Sequence, residues 1–187
     1  DGWLESPLQV EHSPQSGGWR HIVARPDESS LDAPPAGGRA TYSFTVPRSG
    51  TYRVWGRVVA ATTGSDSFWI RMDGGRWIRW NDIRPGEQWH WDQVHDADAE
   101  KAPVQFDLAA GEHQLTVAYR EQHAKLDRLL VTSSPTYRPR GAGRDRPGLD
   151  GGSGTARAGT GGSDDAGMDH DTLTVKKRLL ARVMRCE

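Results

Sequence analysis

The stretch that decides the fold is residues 39–59, RATYSFTVPRSGTYRVWGRVV. Its apolar side chains recur at every second residue, both before and after the turn at residues 47–50. In the first half they are Ala40, Tyr42, Phe44 and Val46. Successive side chains of a β-strand point to opposite faces, so this spacing predicts two half-buried strands separated by a short turn.

The same period of two continues along the chain. Phe68, Ile70 and Met72 alternate with polar residues and are followed by the turn Asp73-Gly74-Gly75. Further candidate strands are residues 8–11, 19–24, 76–80, 89–94, 104–108, 113–119 and 126–132. Short alternating strands with turn signals every 8–12 residues are typical of antiparallel sandwiches and barrels. The sequence therefore predicts an all-β fold, an antiparallel β-sandwich.

Composition divides the 187 residues into three parts. All eight tryptophans lie between Trp3 and Trp91, whereas residues 135–187 hold 10 of the 22 glycines. Residues 135–168 are rich in Gly, Arg, Asp and Ser and cannot bury enough apolar surface to offset the entropy of ordering. We therefore predict a globular domain over residues 1–134, a disordered, flexible linker over 135–168 and a separate segment over 169–187.

Charge and hydropathy exclude several partners. The formal net charge is −1, with −4 on residues 1–134 and +3 on residues 135–187. A nearly neutral chain is a poor binder of nucleic acid, which depends on accumulated positive charge. No run of 18 apolar residues is present, so no integral membrane segment is expected, and no charged-then-apolar leader begins the sequence.

The last segment has a helical rather than a strand-like pattern. Val175, Leu179 and Val183 recur every four residues and are surrounded by basic side chains. This spacing predicts a short, basic, amphipathic C-terminal helix that docks on a protein partner or lies on an anionic membrane surface. The alternative is the start of a following domain. Cys186 is the only cysteine, so an internal disulfide is excluded.

Several motifs together resemble a known family. In order they are F-T-V-P, S-G-T-Y, S-D-S-F, D-G-G-R-W, A-G-E-H-Q-L and L-D-R-L, and they lie between residues 44 and 129 of a resemblance that covers nearly all of residues 8–132. This series is similar to the galactose-binding-like jelly-roll carbohydrate-binding modules, in particular the calcium-containing type attached to polysaccharide-degrading enzymes. The resemblance implies a jelly-roll fold, polysaccharide or other glycan as ligand, and a secreted, periplasmic or cell-surface location.

The resemblance also implies a structural calcium ion (Ca2+) that ties the first strand to the last. The matching ligands are Gln9, Glu11, carbonyl groups of the loop at residues 27–36, and Asp127. Calcium accepts such oxygen ligands, and a carboxylate in an apolar strand needs a cation or a hydrogen-bond donor. The alternative is that Asp127 forms an ion pair with Arg128 or Arg25.

A first candidate ligand surface is residues 76–92, RWIRWNDIRPGEQWHWD, because sugar recognition combines aromatic rings with hydrogen-bonding side chains. Alternation places Trp89 and Trp91 on one face of a strand. The resemblance implies a site at the rim of the sandwich, and Lys125 stands where many family members have Asn, which favours an acidic sugar. The candidate residues are Trp19, Trp77, Trp80, Asn81, Trp89, Trp91, Glu121, His123 and Lys125.

A second candidate surface is a ladder of Trp and Arg side chains on one sheet face. If Tyr52, Val54 and Val58 point inward, their neighbours point to the opposite face. With the strand that follows, this predicts a platform along a polysaccharide chain. Its members are Trp55, Arg57, Trp69 and Arg71. The alternative is that arginines stacked on tryptophans only cover a sheet face.

No catalytic constellation can be named. Glycoside hydrolysis usually needs two carboxylates about 5–10 Å apart, and Glu121 and Asp127 are already assigned to the rim and the metal. We therefore expect a non-catalytic module that tethers a larger protein to glycan. The alternative is a structural or assembly module that binds a protein partner through its Trp/Arg face and its C-terminal helix.

Overall fold

The computed structural model describes residues 2–16, 20–142, 172–175 and 179–180. Within them, one 3-10 helical turn lies at Ala97–Ala99 and the remaining regular structure is β-strand. The strands are β1 Gly2–Leu4, β2 Leu8–His12, β3 Arg20–Ala24, β4 Arg39–Val46, β5 Gly50–Ala60, β6 Phe68–Met72, β7 Ile78–Trp80, β8 Gly86–Gln93, β9 His95–Asp96, β10 Ala102–Pro103, β11 Phe106–Leu108, β12 Gly111–Tyr119, β13 Lys125–Thr132, β14 Thr172–Val175 and β15 Leu179–Leu180.

Thirteen of these strands form two sheets that face each other, and β9 and β10 form a separate two-stranded sheet, so the predicted β-sandwich is confirmed. The first sheet has the order β15-β1-β4-β12-β6-β7. The second has the order β11-β5-β13-β3-β2, with β8 also pairing to β5 and β14 to β13. The pairs within each sheet are antiparallel except that of β1 with β15.

The core lies between the two sheets and contains the alternating residues that the sequence predicted. Tyr52, Val54 and Val58 of β5 are buried there, together with Ile70 of β6 and Leu126 of β13. The neighbours of these residues on each strand therefore point to the outer faces of the sandwich. The outer face of the second sheet carries the site described below.

One position in β5 requires glycine because the sandwich is closely packed there. A Cβ atom at Gly56 would overlap the ring of Trp80, which is completely buried, and would lie 3.1 Å from Leu126 Cδ1. The glycine lets the central strand approach this tryptophan closely. It thereby sets the distance between β5 and the core residues beneath it.

The tail differs from its prediction. Thr172–Val175 pairs antiparallel with β13, and Leu179–Leu180 pairs parallel with β1. The C-terminal helix predicted for residues 169–187 is therefore wrong at these six positions. The segment TLTV contains three β-branched residues, which favour a strand, and the edge of β13 beyond β3 offers unpaired backbone groups. The rest of that segment, including Cys186, lies outside the described residues.

Residues 135–142, the start of the predicted linker, pack against the second sheet. Pro139 is buried, and the guanidinium carbon of Arg138 lies 5.4 Å from the centre of the Trp55 ring. The ordered part of the chain thus continues past the boundary predicted at residue 134. Residues 143–168 lie outside the described residues, where the linker stays a prediction.

Across the ranges that the structure describes, no helix has the length and apolar character needed to cross a membrane.

Candidate functional site

A cleft lies on the outer face of the second sheet, where β8, β5, β13 and β3 run side by side. Alternation along β5 sends Trp55, Arg57 and Val59 to this face, and Trp91 of β8 lies opposite Arg57. The cleft has a volume of about 260 Å³. Its lining residues are Ser13, Gln15, His21, Val59, Glu87, Gln88, Trp89 and Lys125.

Trp89 is the largest side chain of the cleft, and two neighbours hold its ring. The guanidinium carbon of Arg57 lies 5.2 Å from the ring centre, within the range of a cation–π contact. The His21 ring meets it edge-on, with centroids 5.4 Å apart and an angle of 64° between the planes. Trp89 is nevertheless only half-buried. A ring fixed in this way presents its free surface to a ligand without a large entropy cost.

One buried ion pair and one histidine–carboxylate contact lie near the cleft. Arg57 binds the carboxylate of Asp127, and both side chains are buried. Arg57 also reaches the backbone carbonyl of Gln15 at 3.4 Å. Across the sheet, Glu11 Oε2 lies 3.3 Å from His21 Nε2. Arg57 therefore connects the floor of the cleft, its Trp89 wall and the loop after β2.

Two charged side chains of the cleft remain available to a ligand. Neither the ammonium group of Lys125 nor the carboxylate of Glu87 forms an ion pair or hydrogen bond with the described part of the chain. Lys125 is half-buried and Glu87 is exposed. A half-buried cation is less screened by solvent than an exposed one, so Lys125 dominates the local charge.

The residues predicted to bind calcium do not form an oxygen donor set in this structure. Asp127 is bound by the cationic Arg57, and Glu11 by His21 and by Gln9 Nε2, 3.1 Å away. A calcium ion in contact with Asp127 would lie beside a guanidinium group, which is unfavourable.

The loop carbonyls predicted as further ligands are also engaged. Those of Ser30 and Leu31 accept hydrogen bonds from Trp69 and Arg120. Within the described ranges, no group of three or more His, Cys, Asp or Glu side chains could hold a metal. Calcium stays a prediction, and the geometry provides an ion pair in its place.

The residues predicted to bind ligand at the rim differ in their burial and in their hydrogen bonds. Trp80 is completely buried, with its Nε1 donating to Asp92 Oδ1 at 2.9 Å, so its assignment as a ligand contact is wrong. Asn81 Oδ1 accepts from Arg120 at 2.6 Å. His123 is exposed in the turn before β13, at a φ of 64°. Trp19 lies outside the described residues.

The predicted Trp/Arg ladder does not form, because its two strands belong to different sheets. Trp55 lies on β5 and Trp69 on β6, on opposite sides of the sandwich. Trp69 is 6% exposed, and its Nε1 donates to the carbonyl of Ser30. On the same sheet as Trp69, Arg71 stacks on Trp77 at 4.5 Å. The alternative reading, that arginines cover tryptophans, describes these contacts.

A pair of carboxyl groups lies at the rim. The backbone N–H of Asp66 donates to Glu121 Oε2 at 2.8 Å, and the buried Asp66 Oδ1 has no partner in the described structure. Burial first, and then the negative charge of Glu121, raises the pKa of Asp66 from 3.8 to about 6. Arg120 offsets part of this repulsion, since its Nη1 lies 3.3 Å from Glu121 Oε1.

Sequence reasoning found Trp89 and Lys125 but missed other residues of the cleft. His21, Gln15 and Val59 come from β3, the β2–β3 loop and β5, and only the pairing of these strands brings them together. No local signal marks His21 as a site residue, because its strand reads as an ordinary buried one. Glu87 and Gln88 lie within the tryptophan-rich segment at residues 76–92, which was the one available signal.

No family model matches this chain, and no curated protein does.

Solved structures do match its fold. A family 35 carbohydrate-binding module from Clostridium thermocellum has a TM-score of 0.51 at 13% identity, covering 70% of this chain and 90% of that one. A native structure of a family 35 module from the same organism gives 0.51 at 15% identity, covering 72% and 93%. The GH26-CBM35 β-(1,4)-mannanase of Podospora anserina gives 0.50 at 14% identity, covering 73% of this chain and 26% of that chain. At these identities the likeness shows the fold alone. The described part of this chain is a jelly-roll β-sandwich of the kind found in carbohydrate-binding modules.

Proposed function

We propose that this chain is a non-catalytic carbohydrate-binding module and that the cleft beside Trp89 binds one or two rings of a polysaccharide. The observation that carries this proposal is a half-buried tryptophan, fixed by Arg57 and His21, beside polar groups without partners. A sugar ring needs both an apolar surface for its C–H groups and donors or acceptors for its hydroxyls. The neighbours in fold, named as carbohydrate-binding modules, support the same ligand class.

The polar lining favours a sugar that carries a carboxylate. Lys125 supplies an unpaired ammonium group at the inner side of the cleft, and Gln15 and Gln88 supply amides. Glu87 would repel a carboxylate, but it is exposed and therefore more screened. We infer that a uronic acid or another acidic ring binds with its charge toward Lys125.

Two features support binding without catalysis. Asp127 is held by Arg57, and Glu11 lies 3.3 Å from His21 Nε2 outside the lining, which leaves Glu87 as the unpaired carboxylate of the lining. Glycoside hydrolysis usually needs two carboxyl groups on opposite sides of the scissile bond. A module with a few rings and hydrogen bonds binds weakly at one site and is useful through tethering and avidity. Its setting would be outside the cell, where such polysaccharides lie.

The assembly module is less well supported. Among the described residues, the exposed large apolar side chains are Trp3 at 42% and Leu31 at 46%. A stable protein interface buries about 800 Å² on each partner around an apolar centre. Two single exposed side chains do not make such a patch.

A glycan array of the full chain, with and without calcium, tests the proposal. Trp89→Ala should abolish binding, whereas Trp77→Ala, which removes a half-exposed ring on the opposite sheet, should not. Lys125→Asn should weaken binding of acidic glycans more than of neutral ones. Binding that survives Trp89→Ala would place the site elsewhere, and a folded protein that binds no glycan would favour the assembly module.

A further inference from the structure

We propose that residues 135–142, called the strap below, cover a second sugar-binding surface formed by Trp55 and Trp91. This inference rests on the proposed function and extends it along the same sheet face. In the absence of ligand, the strap occupies the surface that a polysaccharide would contact where it extends beyond the Trp89 cleft. A short ligand would leave the strap in place, and a long one would displace it.

The strap contacts both tryptophans. The guanidinium carbon of Arg138 lies 5.4 Å from the centre of the Trp55 ring. Trp91 Nε1 donates a hydrogen bond to the backbone carbonyl of Gly141 at 3.1 Å. A sugar chain offers tryptophans two comparable contacts: the apolar C–H face of a ring for stacking, and hydroxyl or ring oxygens that accept hydrogen bonds.

The covered state leaves one polar group unsatisfied. Trp55 is 8% exposed, and its buried Nε1 has no hydrogen-bond acceptor within the part of the chain that the structure describes. A buried donor without an acceptor destabilises the arrangement that buries it. A sugar hydroxyl or ring oxygen in place of the strap would supply this acceptor, so a ligand gains a hydrogen bond that the strap does not make.

The three tryptophans of this face form a continuous track. Trp89 and Trp91 are two residues apart on the same side of β8, which separates their Cα atoms by about 7 Å. Trp55 of β5 is paired with Gln93 and is therefore the diagonal neighbour of Trp91, at a similar separation. The track runs from the open cleft at Trp89 to the covered end at Trp55.

Apart from its position over Trp55, the Arg138 side chain is engaged within the strap. Arg138 and Arg140 are exposed, and the Arg138 guanidinium otherwise donates to the carbonyls of Pro135 and Tyr137 within the strap. Of its residues, Pro139 is buried. Removal of the Arg138 side chain should therefore loosen the strap over Trp55 without disturbing the core.

The experiment compares ligands of two lengths by calorimetry on the full chain. Its probes are mannotriose and mannohexaose, and trigalacturonate and hexagalacturonate as the acidic pair. Arg138→Ala should bind the hexasaccharide about two- to tenfold more tightly than the original protein does, the range that one cation–π contact corresponds to, with trisaccharide affinity unchanged. Arg140→Ala is the matched control and should change neither. Trp55→Phe combined with Arg138→Ala keeps a ring, removes the indole N–H and should lose part of the gain.

The outcomes separate this inference from the proposed function. A gain confined to the hexasaccharide supports the strap. Trisaccharide binding that depends on Trp89, with no gain or an equal gain at both lengths in Arg138→Ala, overturns the strap and leaves the proposed function standing. If neither protein binds any of the four probes while both melt normally, the proposed function fails for these glycans and the strap inference fails with it.

Discussion

Asp66 destabilises the folded protein at neutral pH, and its replacement by Asn should raise stability. The carboxyl is buried beside Glu121, and the backbone N–H of Asp82 donates to it. Asn keeps an oxygen to accept that hydrogen bond and adds an N–H₂ group that can donate to Glu121. The substitution therefore removes the charge while preserving size and geometry.

The magnitude follows from the raised pKa. Between the unfolded value of 3.8 and the folded value of about 6, the folded protein holds a proton on Asp66 that the unfolded chain has lost. Stability therefore falls as pH rises through this window and is constant above it. Each unit of pKa corresponds to 1.36 kcal/mol, so the full cost at pH 7.5 is about 3 kcal/mol at most. For a domain of this size, that equals a rise in Tm of roughly 6–10 °C.

Thermal unfolding of Asp66→Asn and the original protein from pH 4 to pH 8 measures this effect. The difference in Tm should be near zero at pH 4, grow up to pH 6–7 and then level off. Asp32→Asn, which removes an exposed carboxylate, is the control and should show no such growth. A gain that does not depend on pH, or a loss of stability at pH 7.5, would refute the reasoning about Asp66.

Three further predictions concern the rest of the sandwich. Burial alone would lower the pKa of His95, but hydrogen bonds with Asp92 and two backbone carbonyls raise it to about 9. His95→Gln should therefore lower the free energy of unfolding by about 2–3 kcal/mol at pH 6, as measured by urea titration. This difference should disappear as pH rises through 9. Gly56→Ala should destabilise the protein by about 1–3 kcal/mol in the same assay at any pH, because the new Cβ would overlap the Trp80 ring. Exchange of 2 mM calcium chloride for EGTA should shift Tm by less than about 1 °C, since Asp127 is already neutralised, and a shift of several degrees would support the calcium site that the family resemblance implies.

Strand positions were the part of the fold that sequence could predict. Alternation along β4, β5 and β6 located the core residues, because burial of one strand face produces a period of two within each strand, whatever its neighbours are. The sheet to which each strand belongs was not predictable in this way. The turn at residues 47–50 leads from β4 in one sheet to β5 in the other, and alternation is identical whichever sheet a strand joins. The Trp/Arg ladder failed for this reason.

The candidate site was predictable only where its residues are close in sequence. Trp89 and Lys125 could be proposed from composition and from the family resemblance. Arg57 was placed on the correct face, but its contact with Asp127 depends on the pairing of β5 with β13 and on the irregularity of β13 between Leu126 and Arg128. Long-range contacts of this kind leave no local pattern in the chain. The predicted C-terminal helix is wrong at β14 because valines and leucines four residues apart fit a helix as well as a strand.

Arg57 explains why this sheet face has both a cleft and buried charge. Its guanidinium binds Asp127 beneath the sheet surface and lies against the Trp89 ring that forms the cleft wall. Removal of either charged partner would leave the other buried and uncompensated, which costs about 3–5 kcal/mol. The ion pair is therefore a costly way to hold a sheet together, because apolar side chains of similar volume would pack here without desolvating two charges. What an apolar pair could not do is orient Trp89 by a cation–π contact while leaving its free surface open, and that orientation is what a sugar-stacking site requires.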